Sequence, residues 1–326
     1  MTILVGDIGG THSRMAYYNV EGGKFSCFVK EIYPSGDYSG LDAIVGKFVA
    51  TYGANSELVC LAVAGPVRDG QVRTTNLPWI VDASRIAQAL GLKAVTLIND
   101  LEALAYAVDV LEPKDLVVLN EGDAKATGNV AVIAAGTGLG EAGLYWDGSR
   151  HLPFACEGGH TDFAPTDELQ DELLRHLRAQ FGHVSWERLV CGPGLLNIYN
   201  FLRNAGYGEE PDWLKLEMQQ ADPASQITRH GLEGTSPLCT RALELFASLY
   251  GCEAGNLALK IMANGGVYLG GGIAPKIVDK LRGPSFLKPF TKKGRMSDLL
   301  KAIPVRVILN DEAGLLGAAR CAALRA

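Results

Sequence analysis

Three times along this chain an apolar run of strand character breaks off into a cluster of glycines, at residues 6–11, 136–140 and 270–272. No other feature narrows the possible folds as much. A residue without Cβ lets backbone N–H groups come close to an anion, and loops at strand ends gather such groups into concave anion sites. One loop of this kind is an ordinary tight turn. Three of them, with a threonine in the first two (Thr11 and Thr137), point to a nucleotide phosphate site on an α/β scaffold.

Two other nucleotide-binding patterns can be tested directly. The Walker pattern, with Gly-Lys-Ser/Thr after four residues between glycines, occurs nowhere in the chain. The dinucleotide fingerprint occurs literally as Gly138-Leu139-Gly140-Glu141-Ala142-Gly143. That fingerprint has to open a helix, whereas here it runs into Leu144-Tyr145-Trp146, a strand before an Asp147-Gly148 turn. The match is accidental.

The pattern around the loops predicts a mixed α/β sheet. Residues 2–7, 13–19 and 25–32 read as three strands, and a helix over 41–52 carries Leu41, Ile44, Val45, Phe48 and Val49 on one face. A strand at 58–64, a helix at 83–90 and a buried strand at 94–98 follow, and that order puts helices on the sheet faces. Strands at 129–135 and 142–147 flank the second glycine loop, so that strand–loop–strand unit resembles the first one used again. Beyond it the chain is more helical: 169–181, then a long helix from Ser236-Pro237 to Asn264-Gly265. Strands at 267–269 and 305–309 and a terminal helix from Asp311 to about Leu324 complete the reading.

Composition sets the outer limits. At 326 residues the chain exceeds one ordinary core, so two domains are expected, and 48% hydrophobic with 20% charged residues fits a globular protein. Net charge is −6 and the basic residues are scattered, which excludes a nucleic-acid surface. The seven cysteines (Cys27, Cys60, Cys156, Cys191, Cys239, Cys252, Cys321) form no Cys-x-x-Cys pair and no tight cluster with histidine. They read as buried thiols in a reducing cytoplasm. A leader and a membrane span are not expected, because Asp7 comes almost at once and the uncharged runs are short and glycine-rich.

With these residues in view, a resemblance is plain. Gly6-Asp7-Ile8-Gly9-Gly10-Thr11, Gly136-Thr137-Gly138 and Gly270-Gly271-Gly272 resemble the two phosphate motifs and the adenosine motif of the sugar kinase and actin superfamily. Residues 97–103 (around Asn99-Asp100), 157–165 (from Glu157-Gly158-Gly159-His160) and 187–195 (from Glu187) are similar to the bacterial glucokinase family that lacks the zinc motif. The similarity extends to Asn310-Asp311-Glu312-Ala313-Gly314-Leu315-Leu316-Gly317 and covers essentially the whole chain. It departs at His12, where the family often has asparagine, and at Cys191, where serine is usual.

The resemblance implies an actin-like, ribonuclease H-like ATPase fold with mixed sheets and an interdomain cleft. Its domains would be a small one, 1–110 plus 311–326, and a large one, 111–310. It implies a cytoplasmic kinase that uses ATP and Mg²⁺ to phosphorylate glucose at the 6-hydroxyl, the first step of glycolysis, with a homodimer suggested. A kinase for another hexose or amino sugar is the alternative. Asp100 is then the base for the hydroxyl proton, and Asn99, Asp100, Glu157, His160 and Glu187 hold the sugar. Gly6, Asp7, Ile8, Gly9, Gly10, Thr11, Gly136, Thr137, Gly138, Gly271 and Gly272 hold the nucleotide, and Asp7 organises Mg²⁺, through water. Asn76 and Trp79 are placed near the sugar.

Read without the resemblance, these residues have plainer roles. Asn99 with Glu102 is a capping box at a helix start, Asp7 caps a turn, Trp79 packs in a core, and Glu187 is a surface carboxylate. The chemistry suits the kinase role nonetheless. An aspartate near its usual pKa of ~3.9 is a weak base, but a loose phosphoryl-transfer transition state requires the proton to leave only late. Glu157 and His160 have only Cys156 near them, too little for zinc. A repressor on this scaffold needs a helix-turn-helix before the first strand, which here begins at Thr2, and an actin-type or chaperone-type ATPase needs no Glu157–His160 and Glu187 set.

Overall fold

The computed structural model describes residues 1–53, 56, 58–74, 77–92 and 94–326, so Asn76 lies outside the described residues. Two compact units emerge: Met1–Glu112 with Pro153–Ala155 and Asn310–Ala326, and Pro113–Leu152 with Cys156–Leu309.

In the first unit, β1 (Thr2–Ile8), β2 (His12–Glu21) and β3 (Lys24–Pro34) form an antiparallel meander. α1 (Leu41–Tyr52) returns the chain to β4 (Leu58–Val63), which pairs parallel to β1. A small three-stranded sheet follows, with β5 (Val67–Arg68), β6 (Gln71–Arg73) and β7 (Ile80–Asp82). Then come α2 (Ala83–Leu90), β8 (Thr96–Asn99), parallel to β4, and α3 (Asp100–Ala107). The main sheet has the order β3-β2-β1-β4-β8. Its faces bury different sets of side chains, as strand alternation requires. Leu4, Leu61, Phe48 and Trp79 lie in one cluster; Ile3, Val5, Ala103 and the C-terminal helix (Ala313–Leu324) lie in the other.

The second unit carries β9 (Leu116–Asn120), β10 (Val130–Ala135), β11 (Leu139–Trp146) and the two ends of β12 (His151–Cys156). Its helices are α4 (Glu168–Phe181), α5 (Gly192–Asn204), α6 (Asp212–Gln220), α7 (Pro223–Glu233) and α8 (Pro237–Ile261). After β13 (Gly266–Gly270) come three short helices, α9 (Val278–Leu281), α10 (Pro284–Thr291) and α11 (Ser297–Ala302), and then β14 (Val305–Ile308). The sheet order is β12-β11-β10-β13-β14-β9. β10 pairs antiparallel with β11 and parallel with β13, as β1 does with β2 and β4. The repeated strand–loop–strand unit is therefore a repeated topology.

α8 has 25 residues, about 37 Å of helix, and buries side chains all round, from Leu238 to Ala258. It stops at Ile261, short of the expected Asn264, because Met262 turns left-handed (φ 52°) and caps the last turn. The C-terminal helix likewise starts at Ala313 and not at Asp311. Asn310 Oδ1 accepts the Glu312 N–H and holds that stretch as a turn. β8 ends one residue later than expected, with Asn99 serving as last strand residue and helix cap together.

Candidate active site

In the first unit, β1 ends in the loop Gly9-Gly10-Thr11. Gly9 N–H donates to His12 O at 3.0 Å, and Ser35 fixes the loop from the side, with its hydroxyl on Gly9 O (2.9 Å) and its N–H on Thr11 O (2.9 Å). Thr11 itself is exposed. Asp7 precedes the loop and stands in register with Arg14 of β2. The Arg14 guanidinium lies 3.7 Å from the Asp7 carboxylate and also donates to Asp311 O. Burial pushes the Asp7 carboxyl up, and Arg14 opposes that. The first turn of the C-terminal helix passes close by. A Cβ at Gly314 would lie 3.2 Å from Asp7 Cγ, so that turn runs in close contact with the carboxylate.

β8 delivers Asn99 to the start of α3. Its Oδ1 accepts from Leu101 N–H (2.8 Å) and Glu102 N–H (3.4 Å), while its amide donates to Gly65 O at 3.1 Å. Glu102 accepts in return from the Asn99 N–H, so the capping box is formed in both directions. Asp100, half-buried, occupies the first helical position with Oδ1 on Leu101 N–H at 2.9 Å. Trp79 is buried in the first unit's core, 4% exposed.

In the second unit, Gly136-Thr137-Gly138 joins β10 to β11. Thr137 is exposed, and the loop is braced by α5, whose Gly192 N–H donates to Gly136 O at 2.9 Å. The third glycine cluster lies against the end of β10. Gly271 has φ 80°, and a Cβ there would fall 2.3 Å from Ala135 O, so the close approach requires glycine. These two loops, with the starts of α5 and α7, enclose a cavity of about 680 Å³ lined by Thr137, Gly192, Pro193, Asp222, Ser225, Thr228, Gly272 and Lys276 among others. That volume suits a nucleoside-sized ligand. Asp222, Ser225, Thr228 and Lys276 were not singled out from the sequence, and neither was Arg14. Only Arg14 carried a usable signal, its place opposite Asp7 in a hairpin register.

The carboxylates expected at the sugar belong to this unit too. Glu187 Oε2 accepts the Leu139 N–H at 3.0 Å, and a Cβ at Gly138 would come within 2.5 Å of the same oxygen. Cys191 caps α5: its sulfur accepts from Gly194 N–H and donates to Glu187 O at 2.8 Å. The thiol thus does what a serine hydroxyl does at such a position. Glu157 and His160 flank Gly158-Gly159, both exposed, with 3.9 Å between His160 Nε2 and Glu157 Oε2. The structure therefore groups Glu157, His160 and Glu187 with the second and third glycine loops, and it groups Asn99 and Asp100 with the first.

Among the described residues no group of three His, Cys, Asp or Glu side chains could hold a metal ion. Asp7 is a single carboxylate beside the first glycine loop, with the Arg14 guanidinium 3.7 Å from it. That donor set fits Mg²⁺, which keeps several waters and needs few carboxylates when phosphate oxygens are present. Among the described residues, no helix is long and apolar enough to cross a membrane.

Comparison with known proteins bears on the chain as a whole. The glucokinase family model matches residues 4–325. A curated glucokinase of Nostoc sp. is 40% identical over 337 residues, covering 98% of each chain. Among solved structures, glucokinase from an Antarctic psychrotroph superimposes with a TM-score of 0.86 at 33% identity, covering 99% of each chain. A Balamuthia mandrillaris glucokinase, solved in complex with glucose, shares the fold at a TM-score of 0.78 and 20% identity.

Proposed function

The chain belongs to the glucokinase family and has its actin-like ATPase fold, and on that premise we propose that it transfers the γ-phosphoryl group of ATP to the 6-hydroxyl of glucose. One observation carries this reading. The Glu187 carboxylate, a sugar ligand by family resemblance, is held at 3.0 Å by the Leu139 N–H, the first residue after the second phosphate loop. Sugar recognition and phosphate binding then share one strand start.

Each residue's part follows from its placement. Asp100 sits at the head of α3, where it would orient the 6-hydroxyl and accept its proton late in transfer, a role worth roughly 10²–10⁴ in rate. Asn99, locked by its cap bonds and by Gly65, holds that carboxylate in register. Glu157, His160 and Glu187 take the hydroxyl pattern of the ring through charge-assisted bonds, which reject a sugar whose hydroxyls point elsewhere. Thr11 and Thr137 donate to the terminal phosphates, and the cavity between α5, α7 and Gly272 receives the nucleoside. Asp7 would hold Mg²⁺ through water. The ion supplies neutralisation of the phosphate charge. The seven free cysteines fit a cytoplasmic site of action.

The test is a coupled assay over glucose, fructose, mannose and N-acetylglucosamine, each with ATP and with ADP. The pair of glucose and ATP is expected to give the highest kcat/KM. A higher value on any other sugar, or with ADP, would overturn the assignment.

A further inference from the structure

Glu141 of β11 is 1% exposed, and neither of its carboxyl oxygens meets a hydrogen-bond donor among the described residues. A buried polar group in that condition calls for an explanation. Facing it from α8 is Glu253, also fully buried, close enough for a hydrogen bond between the two carboxyl groups. Glu253 is well supplied: Asn256 Nδ2 donates to one oxygen (2.8 Å) and Lys260 Nζ to the other (3.2 Å). It is therefore the ionised member. Glu141 can bond to it only as the protonated acid, giving its O–H to the Glu253 carboxylate.

What lies on top of Glu141 gives the pair its meaning. A Cβ at Gly158 would fall 1.8 Å from Glu141 Oε2, and one at Gly159 would fall 2.1 Å from Leu139 O. The Gly158-Gly159 backbone thus rests directly on β11, from Leu139 to Glu141. The residues on either side of those glycines are Glu157 and His160. Glu187 is tied to the same strand at Leu139.

We propose that Glu141 is a positioning residue for the sugar-binding loop: as a neutral acid sharing one proton with Glu253, it supports Gly158 from below and fixes where Glu157 and His160 present their side chains. The inference rests on the reading of those two residues as sugar ligands. The groups that face the pair are Cys156 at the end of β12 and Tyr250 and Lys260 from α8, with Lys293 behind Glu253 on Asn256 Oδ1 and Cys252 O. Burial and the Glu253 charge push the Glu141 carboxyl up to about 8. Above that pH the proton leaves, two buried carboxylates face each other, and the loop loses its support.

The experiment measures KM for glucose and for ATP between about pH 6.5 and 9 in wild type, Glu141→Gln and Glu141→Leu. The wild-type KM for glucose is expected to rise above about pH 8 while the KM for ATP stays level. Glu141→Gln keeps a neutral donor and should remove the alkaline rise while holding a near-wild-type KM at neutral pH. Glu141→Leu should raise the glucose KM at every pH by about tenfold or more, since misplacement by 1 Å can cost about 10²-fold. An alkaline rise that persists in Glu141→Gln, or a folded Glu141→Leu with unchanged glucose KM, overturns the proposal. Infrared spectroscopy keeps the test independent of turnover: the protonated-carboxyl band of wild type at neutral pH should be missing from Glu141→Gln, and its absence from wild type refutes the shared proton. If wild type transfers nothing to glucose, the parent reading falls, and the proton stands or falls on that band.

Discussion

Gly317→Ala adds one methyl group where two helices of the first unit touch. The new Cβ would lie 1.7 Å from Ala103 O, 2.7 Å from Ala103 C and 3.0 Å from Ala107 N. These are backbone atoms of α3, so no side chain can swing away. Ordinary contact begins at 3.4 Å, and the C-terminal helix must move off α3 by about 1.7 Å. Overpacking of this kind costs ~1–3 kcal/mol, and a backbone obstacle places the effect at the upper end. The second consequence is chemical. α3 starts at Asp100, and a shift of its axis by about 1 Å misplaces the carboxylate enough to lower kcat by roughly 10- to 100-fold. Thermal and urea unfolding, with kcat measured on glucose, read both effects. Gly46→Ala is the control: it lies within α1 with nothing within 4 Å of the added carbon, and should be neutral or stabilising by up to ~1 kcal/mol. If Gly317→Ala melts with wild type and turns over normally, the helices are not in close contact and the reasoning is wrong.

Asp100→Asn should lower kcat by at least ~10²-fold with circular dichroism unchanged, and near-normal turnover would remove it as the proton acceptor. Glu157→Gln and Glu187→Gln should each raise the glucose KM by the equivalent of ~1–3 kcal/mol and narrow the preference over mannose; an unchanged KM in both would place the sugar elsewhere. Activity should disappear in EDTA and return with Mg²⁺, while the purified protein carries no zinc; stoichiometric zinc by elemental analysis contradicts this. Glu141 is raised from 4.5 to about 8 in the folded state, so the fold holds a proton that the unfolded chain has already released. Stability should then fall as pH rises from about 4.5 to 8. A wild-type melting temperature that declines over this range no more than that of Glu141→Gln would show that the carboxyl is not so perturbed.

Much of the scaffold could be read from local signals. α1 runs as its apolar spacing indicates, α2 spans the 83–90 helix expected, and the first three strands lie where apolar runs meet glycine turns. The false dinucleotide fingerprint at Gly138 was recognisable as such, since the residues after it form β11 and not a helix. β9 and β12 escaped notice because both are strands with mostly half-buried or exposed residues, defined by pairing and not by an apolar pattern. The site shows the same divide. Glycines, threonines and the Asn99 cap are matters of backbone conformation within a few residues, so the sequence by itself determined the glycine loops and the head of α3. The cavity beside the second and third glycine loops draws Thr137, Asp222 and Lys276 from three distant segments, and only tertiary packing brings them together. Glu141 makes the point most sharply. In the sequence it is an unremarked letter of an accidental motif, with nothing to set it apart from a surface carboxylate. Folding seals it between α8 and Gly158, away from water and against Glu253. A carboxyl's charge depends on solvation and on its neighbours' charges, and in this chain both were decided by the packing of α8 and the glycine loop onto β11.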